Sequence, residues 1–414
     1  MLYERWRNVV DQQRDDWALC DLASGQRWTF TELFAAGESR RDEDGKIIFP
    51  QGQSPEFVLS LLAAWRSGKV VCPLETGQAR PEFPSPPEGC VHLKLTSATT
   101  GPARLIAFTE EQLAADASQI VSAMGLRPDW PNLGVISLAH SYGFSNLVLP
   151  LLLHGIPLIL APSPLPEIIR RALTNEPAVT LAAVPALWRV WHDAGGVPKH
   201  VRLAISAGAP LPLNLERAVF EASGIKIHNF YGASECGGIA YDASAEPRTD
   251  AALAGTPLPG VGVSLNSEGC LQVSGSAVAL NYWPGESDAL ANGKFQTSDL
   301  AELKDGSVFL RGRMSDVINV AGRKVSPETI ERELLAHPQV RDCLVFGAPS
   351  QDEQRTDMIV AAVVSSASET DLKKWLLETL PAWQLPRCWQ FVESLSTGPR
   401  GKISRSEWRR QFTI

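Results

Sequence analysis

The chain has 414 residues, of which 44% are apolar and 20% charged, and these values are typical of a folded protein with a sizeable core and more than one domain. Its formal net charge of -8, without a basic run interleaved with aromatic residues, argues against a nucleic-acid-binding surface. The seven cysteines are scattered and form no C-x-x-C pair, so we expect free thiols rather than a disulfide framework or a zinc site.

The N-terminal segment and the most apolar stretch both argue against membrane insertion. Residues 1–17 are charged throughout and contain no apolar core of the kind that signal peptides have. Residues 147–161 are the most apolar, but prolines and a glycine interrupt them, so they predict a helix end, a turn and a buried strand. We therefore expect a cytoplasmic protein without a membrane span.

Strand-like apolar runs alternate with helical patterns in the first half of the chain. The runs are 69–74, 134–138, 157–160, 180–184 and 201–206, and the helical segments between them include 55–67, 110–124 and 166–174. This alternation predicts βαβ units, and the continuous rather than alternating apolar character of the strands suits a parallel sheet covered on both faces.

The pattern changes near residue 255 and again after Arg313. Short strands separated by Gly and Pro follow first, at 261–265, 269–274, 293–297, 301–304 and 307–311, and predict an antiparallel or barrel-like region. Ser326 is then expected to cap a helix at 328–336. Strands at 342–346 and 358–364 and a helix at 369–379 complete the prediction. A domain boundary is expected at 314–316, and a loop within one domain is the alternative.

A loop rich in Ser, Thr and Gly, TSATTGPAR at residues 96–104, follows a strand-like segment. Small side chains allow successive backbone N–H groups to surround a phosphate, and the hydroxyl groups add further donors. Arg104 supplies a permanent positive charge. Taken alone, a loop of this composition is more often only a loop.

Three further motifs carry groups that suit a nucleotide. Tyr231 can stack on a base and Glu235 can hold Mg²⁺, which prefers carboxylate and phosphate oxygens. Asp299 suits a ribose diol, and Arg313 suits a phosphate or a ribose hydroxyl. Each motif alone could be structural. The Gly-Lys pair at 401–402 fails the Walker A spacing, which disfavours a kinase of that type.

The order of these motifs is more specific than any one of them. TSATTG, SAGAPL, YGASE, TSDL, GRMSD and a late GK occur in this order between about Trp28 and Arg409. This order resembles the adenylate-forming superfamily, which includes acyl- and aryl-CoA ligases, peptide-synthetase adenylation domains and beetle luciferase. The resemblance implies an α/β fold. A large N-terminal domain, residues 1–314, would contain two α/β subdomains and a barrel-like β subdomain. A small mobile α+β C-terminal domain, residues 315–414, would carry the catalytic lysine.

The resemblance also implies a role for each motif residue. The catalytic residues would be Lys402, Glu235 and His140. The phosphates would be bound by Thr96, Ser97, Thr99, Thr100, Gly101, Arg104 and Ser234. The rest of the nucleotide would be bound by Gly208, Ala209, Pro210, Asn229, Tyr231, Asp299 and Arg313. The acyl pocket would be lined by His140, Ser141, Tyr142, Gly237 and Gly238. The hinge and the approach of the thiol would involve Ser315, Gly322 and Lys324.

The implied reaction consumes ATP with Mg²⁺ at Glu235 and joins a carboxylic acid to the thiol of CoA or of a carrier protein's phosphopantetheine. Ser141 stands where amino-acid-activating relatives carry an Asp, and a buried ammonium without a carboxylate partner is costly, so we predict an acid without an α-amino group. Aryl and fatty acids both stay possible. A nucleotide-binding relative without turnover is the alternative from another class, and nothing in the sequence favours a luciferase-like oxygenase.

Three positions depart from the family pattern. Ala98 replaces a glycine of the phosphate loop, Arg104 replaces the usual lysine, and Ser315 stands at the hinge where Asp or Lys is usual. The region before the phosphate loop is also short for the family. The charge at Arg104 is preserved, so nucleotide binding is still expected.

Overall fold

The computed structural model describes residues 1–82, 84–95, 104–173, 176–285, 287–349, 357–395 and 405–412. All seven cysteines lie in these ranges as free thiols, and six of them are buried. Among the described helices, none combines the length and the apolar character that crossing a bilayer requires.

The elements of the large N-terminal domain alternate between helix and strand in its first part. They begin with α1 Leu2–Gln13, β1 Trp17–Asp21, β2 Gln26–Thr29, α2 Phe30–Ser39, β3 Ile47–Ile48, α3 Pro55–Arg66, β4 Val70–Val71, β5 His92–Leu95, β6 Leu105–Phe108 and α4 Glu110–Met124. They continue with β7 Asn132–Gly134, α5 Ser141–Gly143, a π-helical turn Phe144–Val148, α6 Leu149–His154, β8 Leu158–Leu160, α7 Pro166–Leu173, β9 Val179–Ala183, α8 Pro185–Asp193, β10 Val201–Ser206, α9 Leu213–Ser223 and β11 Ile227–Ala233.

The later elements are mostly strands until the small C-terminal domain begins. The strands are β12 Gly237–Tyr241, β13 Leu253–Pro257, β14 Gly262–Leu265, β15 Cys270–Ser274, β16 Asn281–Trp283, β17 Leu290–Ala291, β18 Lys294–Lys304 and β19 Ser307–Arg313. A 3₁₀ turn Met314–Asp316 then precedes β20 Ile318–Val320, β21 Arg323–Val325, α10 Pro327–Leu335, β22 Val340–Pro349, β23 Asp357–Ser365, α11 Glu369–Leu377, a 3₁₀ turn Ala382–Gln384, β24 Cys388–Phe391 and α12 Arg405–Gln411.

The predicted parallel sheet is confirmed in the centre of the N-terminal domain. Its strands lie side by side in the order β11-β10-β9-β7-β8-β1, and each neighbouring pair is parallel. Every residue of β8 and β9 is buried, as expected for strands covered on both faces. Ser206, the last residue of β10, is paired in register with Asn229 near the start of β11, and this pairing positions the segment that follows β10.

The antiparallel region predicted after residue 255 is also confirmed, and it continues the same sheet. Beyond β11 the order is β12-β13-β19-β18-β15-β14, with antiparallel pairing throughout. The separate strands predicted at 293–297 and 301–304 are instead one long strand, β18. A bulge between Leu300 and Ala301 interrupts its register with β19 without ending the strand, which explains the difference.

A second, smaller sheet has the order β16-β6-β5-β4-β3. Within it, β5 and β6 form an antiparallel pair in which His92 faces Phe108 and Leu95 faces Leu105. The strand predicted at 69–74 contributes only β4 to this sheet. Pro73 has no N–H to donate, which limits the length of the ladder.

The strand predicted at 134–138 is wrong in its bounds, because β7 ends at Gly134. The chain then turns away from the sheet, and the Ser137 hydroxyl donates to Glu75 Oε1 at 2.7 Å. Gly143 packs against this turn so closely that a Cβ at Gly143 would lie 2.0 Å from the Ser137 carbonyl oxygen. The residues predicted to form one strand at 134–138 therefore lie at the end of β7 and in the turn that follows it.

Local capping chemistry explains several helix starts. Thr109 caps α4 by accepting from the Gln112 N–H, and Ser368 caps α11 by accepting from the Asp371 N–H. Ser326 is the N-cap of α10, but its side chain makes no capping bond and donates to Glu328 Oε2 at 2.6 Å instead. The expected capping role of the Ser326 hydroxyl is therefore wrong, although the helix forms.

The small C-terminal domain has its own core between one sheet and two helices. The sheet has the order β22-β23-β24, in which β22 and β23 are antiparallel and β23 and β24 are parallel. Ile330 from α10, Val345 from β22 and Leu376 from α11 are fully buried in this core. Its separate core is consistent with a unit distinct from the N-terminal domain.

Candidate active site

The residues of the implied phosphate loop, Thr96, Ser97, Thr99, Thr100 and Gly101, lie outside the described residues, as does Lys402. The described flanks of the loop are β5 and β6, which are paired as an antiparallel hairpin. Arg104 is exposed just before β6, and its guanidinium lies 5.6 Å from the centre of the Tyr282 ring. The end of the loop is thereby placed beside β16.

Tyr282 connects this corner to Glu235. The Tyr282 hydroxyl donates to Glu235 Oε1 at 2.9 Å, and the Glu235 backbone carbonyl accepts from the Ala279 N–H at 2.8 Å. Burial raises the pKa of Glu235, and the hydrogen bond from Tyr282 opposes this rise. Arg104, Tyr282 and Glu235 therefore form one continuous contact path from the phosphate-loop flank to the implied metal-binding carboxylate.

Three of the residues implied to bind the nucleotide meet at one carboxylate. The Tyr231 hydroxyl donates to Asp299 Oδ2 at 2.6 Å, and Arg313 Nε donates to Asp299 Oδ1 at 3.0 Å. Asp299 and Arg313 are directly opposed across β18 and β19, and β11 brings Tyr231 to them. Burial, followed by the negative charge of Asp299, raises the pKa of Tyr231 well above its ordinary value. Tyr231 is therefore a neutral donor at physiological pH.

The 208–210 turn follows β10, the strand next to β11, which carries Tyr231. Gly208 has φ +84°, a left-handed conformation that favours glycine, and Gly208, Ala209 and Pro210 are exposed. Asn229, in register with the end of β10, donates from Nδ2 to the Leu253 carbonyl at 3.0 Å. The implied base-binding residues thus lie just beyond the carboxyl end of β10 and at the residue of β11 that pairs with that end, and the carboxyl ends of parallel strands are where ligands bind in open α/β sheets.

One contact joins an implied acyl-pocket residue to an implied phosphate-binding residue. The Ser141 hydroxyl donates to the Ser234 hydroxyl at 3.0 Å, which brings residues 140–142 to the segment that contains Glu235. His140 is the N-cap residue of α5. The Tyr142 ring lies 6.2 Å from the Phe230 ring, and its hydroxyl donates to the Ile205 carbonyl at 3.4 Å. Tyr142 thus faces β10 and β11.

Phe144, which follows these residues in the chain, is a core residue. It is 1% exposed, and its ring lies 4.3 Å from the His92 ring. The π-helical turn that contains Phe144 buries all of its residues. Of this segment, Ser141 and Tyr142 are thus the half-buried residues at its start, and Phe144 belongs to the core.

Asp116 holds the start of β12, where the two implied pocket glycines lie, and sequence reasoning missed it. Asp116 Oδ1 accepts from the Gly238 N–H at 3.1 Å, and Oδ2 accepts from the Ser145 hydroxyl at 2.5 Å. A Cβ at Gly237 would lie 2.0 Å from Asp116 Oδ1, and Gly237 also has φ +68°. Both glycines are thus held against α4. No sequence motif marks an isolated acid within a helix, so the signal was absent.

The implied hinge residues lie between the two domains and in the following hairpin. The Ser315 hydroxyl donates to Asp316 Oδ1 at 3.2 Å, and Asp316 Oδ2 accepts from Arg405 Nη1 at 2.9 Å. Gly322, with φ +81°, turns the chain between β20 and β21, and Lys324 is exposed on β21. Ser315 thus lies two positions after Arg313, and Gly322 and Lys324 lie in the hairpin of β20 and β21.

The described residues contain no group of three or more His, Cys, Asp or Glu that could hold a metal ion. Mg²⁺ commonly uses only one or two carboxylates together with phosphate oxygens and water, so a single acid suffices. Glu235 fits this role because Tyr282 engages only one of its two carboxylate oxygens.

The chain is similar to known enzymes of one family. Residues 77–283 match the model of the AMP-binding enzyme family, and residues 329–402 match the model of the C-terminal domain of the same family. The mitochondrial malonate–CoA ligase of Mus musculus is 30% identical over 77% of this chain and 64% of its own length. The 2,3-dihydroxybenzoate–AMP ligase of Bacillus subtilis is 27% identical over 94% of this chain and 76% of its own length.

The fold matches that of a solved structure at full length. ATP-bound MatB from Rhodopseudomonas palustris superimposes with a TM-score of 0.84 at 20% identity and covers 99% of this chain and 98% of that one. The chain spans 63% to 65% of the length of the malonate–CoA ligases that it matches. The resemblance drawn from the order of motifs is confirmed: the chain belongs to the AMP-binding enzyme family, within the adenylate-forming superfamily.

Proposed function

We propose that this protein uses ATP to convert a carboxylic acid without an α-amino group into an acyl-adenylate and pyrophosphate, and then transfers the acyl group to a pantetheine thiol. The observation that carries the proposal is the convergence of Tyr231, Arg313 and Asp299 at the sheet edge that also presents Asn229. The names of the matched relatives describe ligation of acids to CoA or to AMP, which supports the same reaction class.

Asp299 is suited to the ribose because it has unused acceptor capacity. A carboxylate offers about four lone-pair sites, and Tyr231 and Arg313 occupy one on each oxygen. The remaining sites can accept from the two ribose hydroxyls. Tyr231 and Arg313 thus orient the carboxylate, and Asn229 with the 208–210 turn borders the base.

The chemical step joins two anions, so the site must offset their repulsion. The carboxylate oxygen of the acid attacks the α-phosphorus of ATP, the bond to the bridging oxygen breaks, and pyrophosphate leaves with the electron pair. Lys402 and Arg104 are the cationic side chains that we assign to the α-phosphate with the acid and to the leaving pyrophosphate. Mg²⁺ held by Glu235 would supply additional positive charge beside the phosphate oxygens.

The acid is proposed to lie between residues 140–142 and 237–238. Ser141 and Ser234, which bond to each other there, are neutral, so neither supplies the negative charge that an ammonium group would need. The nearby carboxylate of Asp116 is 2% exposed, and both of its oxygens accept hydrogen bonds from the protein. An α-amino acid would therefore lack a charged partner, which supports a simple carboxylic acid.

The second half-reaction is proposed to use CoA, with a carrier protein's phosphopantetheine as the alternative acceptor. Arg323 and Lys324 form an exposed basic pair on β21 and suit either CoA phosphates or an acidic carrier. A boundary at residues 314–315 would let residues 315–414 rotate and remove Lys402 after adenylation. The free cysteines suit a reducing compartment, and we propose the cytoplasm.

Acid-dependent exchange of labelled pyrophosphate into ATP tests the proposal. A panel of aryl, short-chain and long-chain acids, with matched α-amino acids as controls, should give exchange with at least one simple acid and with no amino acid. Exchange with amino acids only would contradict the assigned specificity. Tight ATP binding without exchange for any acid would instead identify a nucleotide-binding relative without turnover.

A further inference from the structure

Four charged side chains are buried together beneath the proposed base-binding residues. This buried charge network consists of Glu216, Lys226, Asp242 and Arg248, whose side chains are between 0% and 5% exposed. Its two cations and two anions balance. Charged residues are almost never buried so completely unless they are paired, so the arrangement requires an explanation.

The network is continuous through hydrogen bonds. Arg248 donates to Glu216 from Nε at 2.8 Å and from its backbone N–H at 3.0 Å. Lys226 donates to Glu216, to Asp242 Oδ2 at 2.8 Å and to the Ile227 carbonyl at 3.0 Å. Glu216 therefore connects the two cations, and Asp242 ends the chain on the far side of Lys226.

Arg248 also holds the end of the 208–210 turn. Its Nη2 donates to the Leu211 carbonyl at 2.7 Å, and Leu211 directly follows Pro210. The planar guanidinium offers donors in a fixed geometry, so the Leu211 carbonyl is held at a defined position relative to Glu216. The start of the segment is fixed separately by β10.

The same network holds Asn229 from two sides. Arg248 Nη1 donates at 2.9 Å to the Leu253 carbonyl, which also accepts from Asn229 Nδ2 at 3.0 Å. The Asp242 backbone N–H donates to the Asn229 carbonyl at 2.9 Å. The spacing between Asn229 and the 208–210 turn is thus set through one guanidinium and its partners.

Stability alone does not account for this arrangement. The desolvation of buried charges offsets much of their mutual attraction, and well-packed apolar side chains often stabilise a fold equally well. Apolar side chains, however, cannot hydrogen-bond to carbonyl groups or carboxylates. They could therefore not fix the directions of the Leu211, Ile227 and Leu253 carbonyls, as the two cations do. Nor could they hold the Glu216 carboxylate. The network contacts both base-binding segments, and neither segment contributes a charge to it.

We propose that the buried charge network positions the 208–210 turn and Asn229 for the adenine base and thereby determines the preference for ATP over GTP. This inference rests on the proposed function only in that the site binds a nucleotide. Arg248 and Glu216 are positioning residues, since they act through Leu211, Leu253 and Asn229.

The test compares nucleotide affinities of the full chain with Arg248→Lys, which keeps the charge but loses the fork of donors. The dissociation constants of ATP and GTP are measured by calorimetry with Mg²⁺ and without an acid. We expect ATP binding to weaken by about 10-fold or more, the effect of losing a hydrogen bond to a charged group, while GTP binding changes less. The ratio of the two affinities should therefore fall.

Arg311→Lys is the matched control. Arg311 donates to Glu302 Oε2 at 2.6 Å on the partly exposed face of β18 and β19, outside the network, so its replacement should leave the ratio unchanged. If Arg248→Lys does not fold, Asp242→Asn provides the second variant, because it keeps the shape and the backbone N–H to Asn229 and removes one charge of the network. It should lower the ATP-to-GTP ratio by a smaller factor.

Equal weakening of both nucleotides, or a lower melting temperature with an unchanged ratio, would overturn the positioning role. An unmodified protein that binds ATP and prefers it over GTP but exchanges no pyrophosphate would count against the proposed activity and leave this inference standing. An unmodified protein that binds no ATP would overturn both.

Discussion

Two clusters of charged residues, one in each domain, differ in balance and in exposure. The buried charge network beneath the proposed base-binding residues is neutral and almost completely buried. The second cluster, which we name the hinge cluster, consists of Asp316, Glu328, Glu331 and Arg405. Its single guanidinium contacts three carboxylates, and its side chains are between 14% and 24% exposed.

The difference suggests different tasks for the two regions. A neutral, solvent-free network holds its carbonyl partners in one arrangement and suits a rigid site for the base. The hinge cluster has excess negative charge and solvent access, so its contacts can be changed by protonation at moderate energetic cost. Arg405 follows Lys402 by three positions, so the cluster also connects the hinge to the segment that carries the implied catalytic lysine.

The largest expected effect is the loss of pyrophosphate exchange when Lys402 is replaced, compared with the smaller loss when Arg104 is replaced. Lys402→Ala should reduce acid-dependent pyrophosphate exchange by at least ~100-fold, by analogy with removing one preorganised group that stabilises developing charge. Arg104→Ala should cost less, because we assign Arg104 to the leaving pyrophosphate rather than to the reacting centre. Rates of exchange at saturating ATP give the comparison, and the reverse ranking would overturn this division of roles.

Asp299→Asn tests the proposed role of the Asp299 carboxylate in binding the ribose. The substitution preserves shape but removes the charge that accepts from Tyr231 and Arg313, so the KM for ATP should rise about 10-fold or more. Tyr231→Phe leaves the carboxylate charged and removes one donor, so its effect should be about 5-fold or less. Equal effects of the two changes would show that the carboxylate does not contact the nucleotide.

The smallest expected effect is a change in the pH dependence of stability at the hinge cluster. Burial raises the pKa of Glu331 to about 7; Glu328 adds to the rise and Arg405 opposes it. Because this pKa lies above the ordinary 4.5, the stability that protonated Glu331 contributes is present below pH 4.5 and lost as the pH rises through about 7.

Melting temperatures between pH 4.5 and 7 test this dependence. Glu331→Gln should make the decline in stability with rising pH shallower than in the unmodified protein. Glu378→Gln, which changes an exposed carboxylate at the end of α11, is the control and should keep the original decline. An identical decline in all three proteins would show that Glu331 does not titrate in this range.

The sequence predicts the central parallel sheet and the motif residues of the implied nucleotide site. The strands β9 and β10 are near-continuous apolar runs, and their parallel pairing follows from the alternation with helices. Tyr231, Asp299 and Arg313 lie in motifs whose order resembles one superfamily, so the sequence assigned all three to one nucleotide site.

Side chains that act through long-range contacts could not be predicted. Arg248 and Glu216 are separated by 32 positions, and Tyr282 and Glu235 by 47, so no local pattern connects either pair. Asp116 lies in a helix with a regular polar pattern, where an exposed acid is the ordinary expectation. Only the fold reveals that these groups are buried against their partners.

The bounds of strands were predicted less well where the chain leaves the sheet. Residues 135–138 are apolar enough for a strand, but the contacts of Ser137 and Gly143 turn them out of the ladder. Ser326 was expected to cap α10 with its hydroxyl, but Glu328 competes for that hydroxyl. In both places tertiary contacts, rather than local sequence propensity, determine the structure.

One isotope measurement tests the adenylation claim most directly. An acid that supports exchange is labelled with ¹⁸O in its carboxylate and incubated with ATP, Mg²⁺ and CoA, and the products are weighed by mass spectrometry. Attack of the carboxylate on the α-phosphorus, followed by thiol attack on the acyl carbon, leaves one carboxylate oxygen on the phosphate of AMP. We predict AMP that carries one ¹⁸O atom, with unlabelled pyrophosphate. Labelled orthophosphate formed together with ADP would contradict activation through an acyl-adenylate.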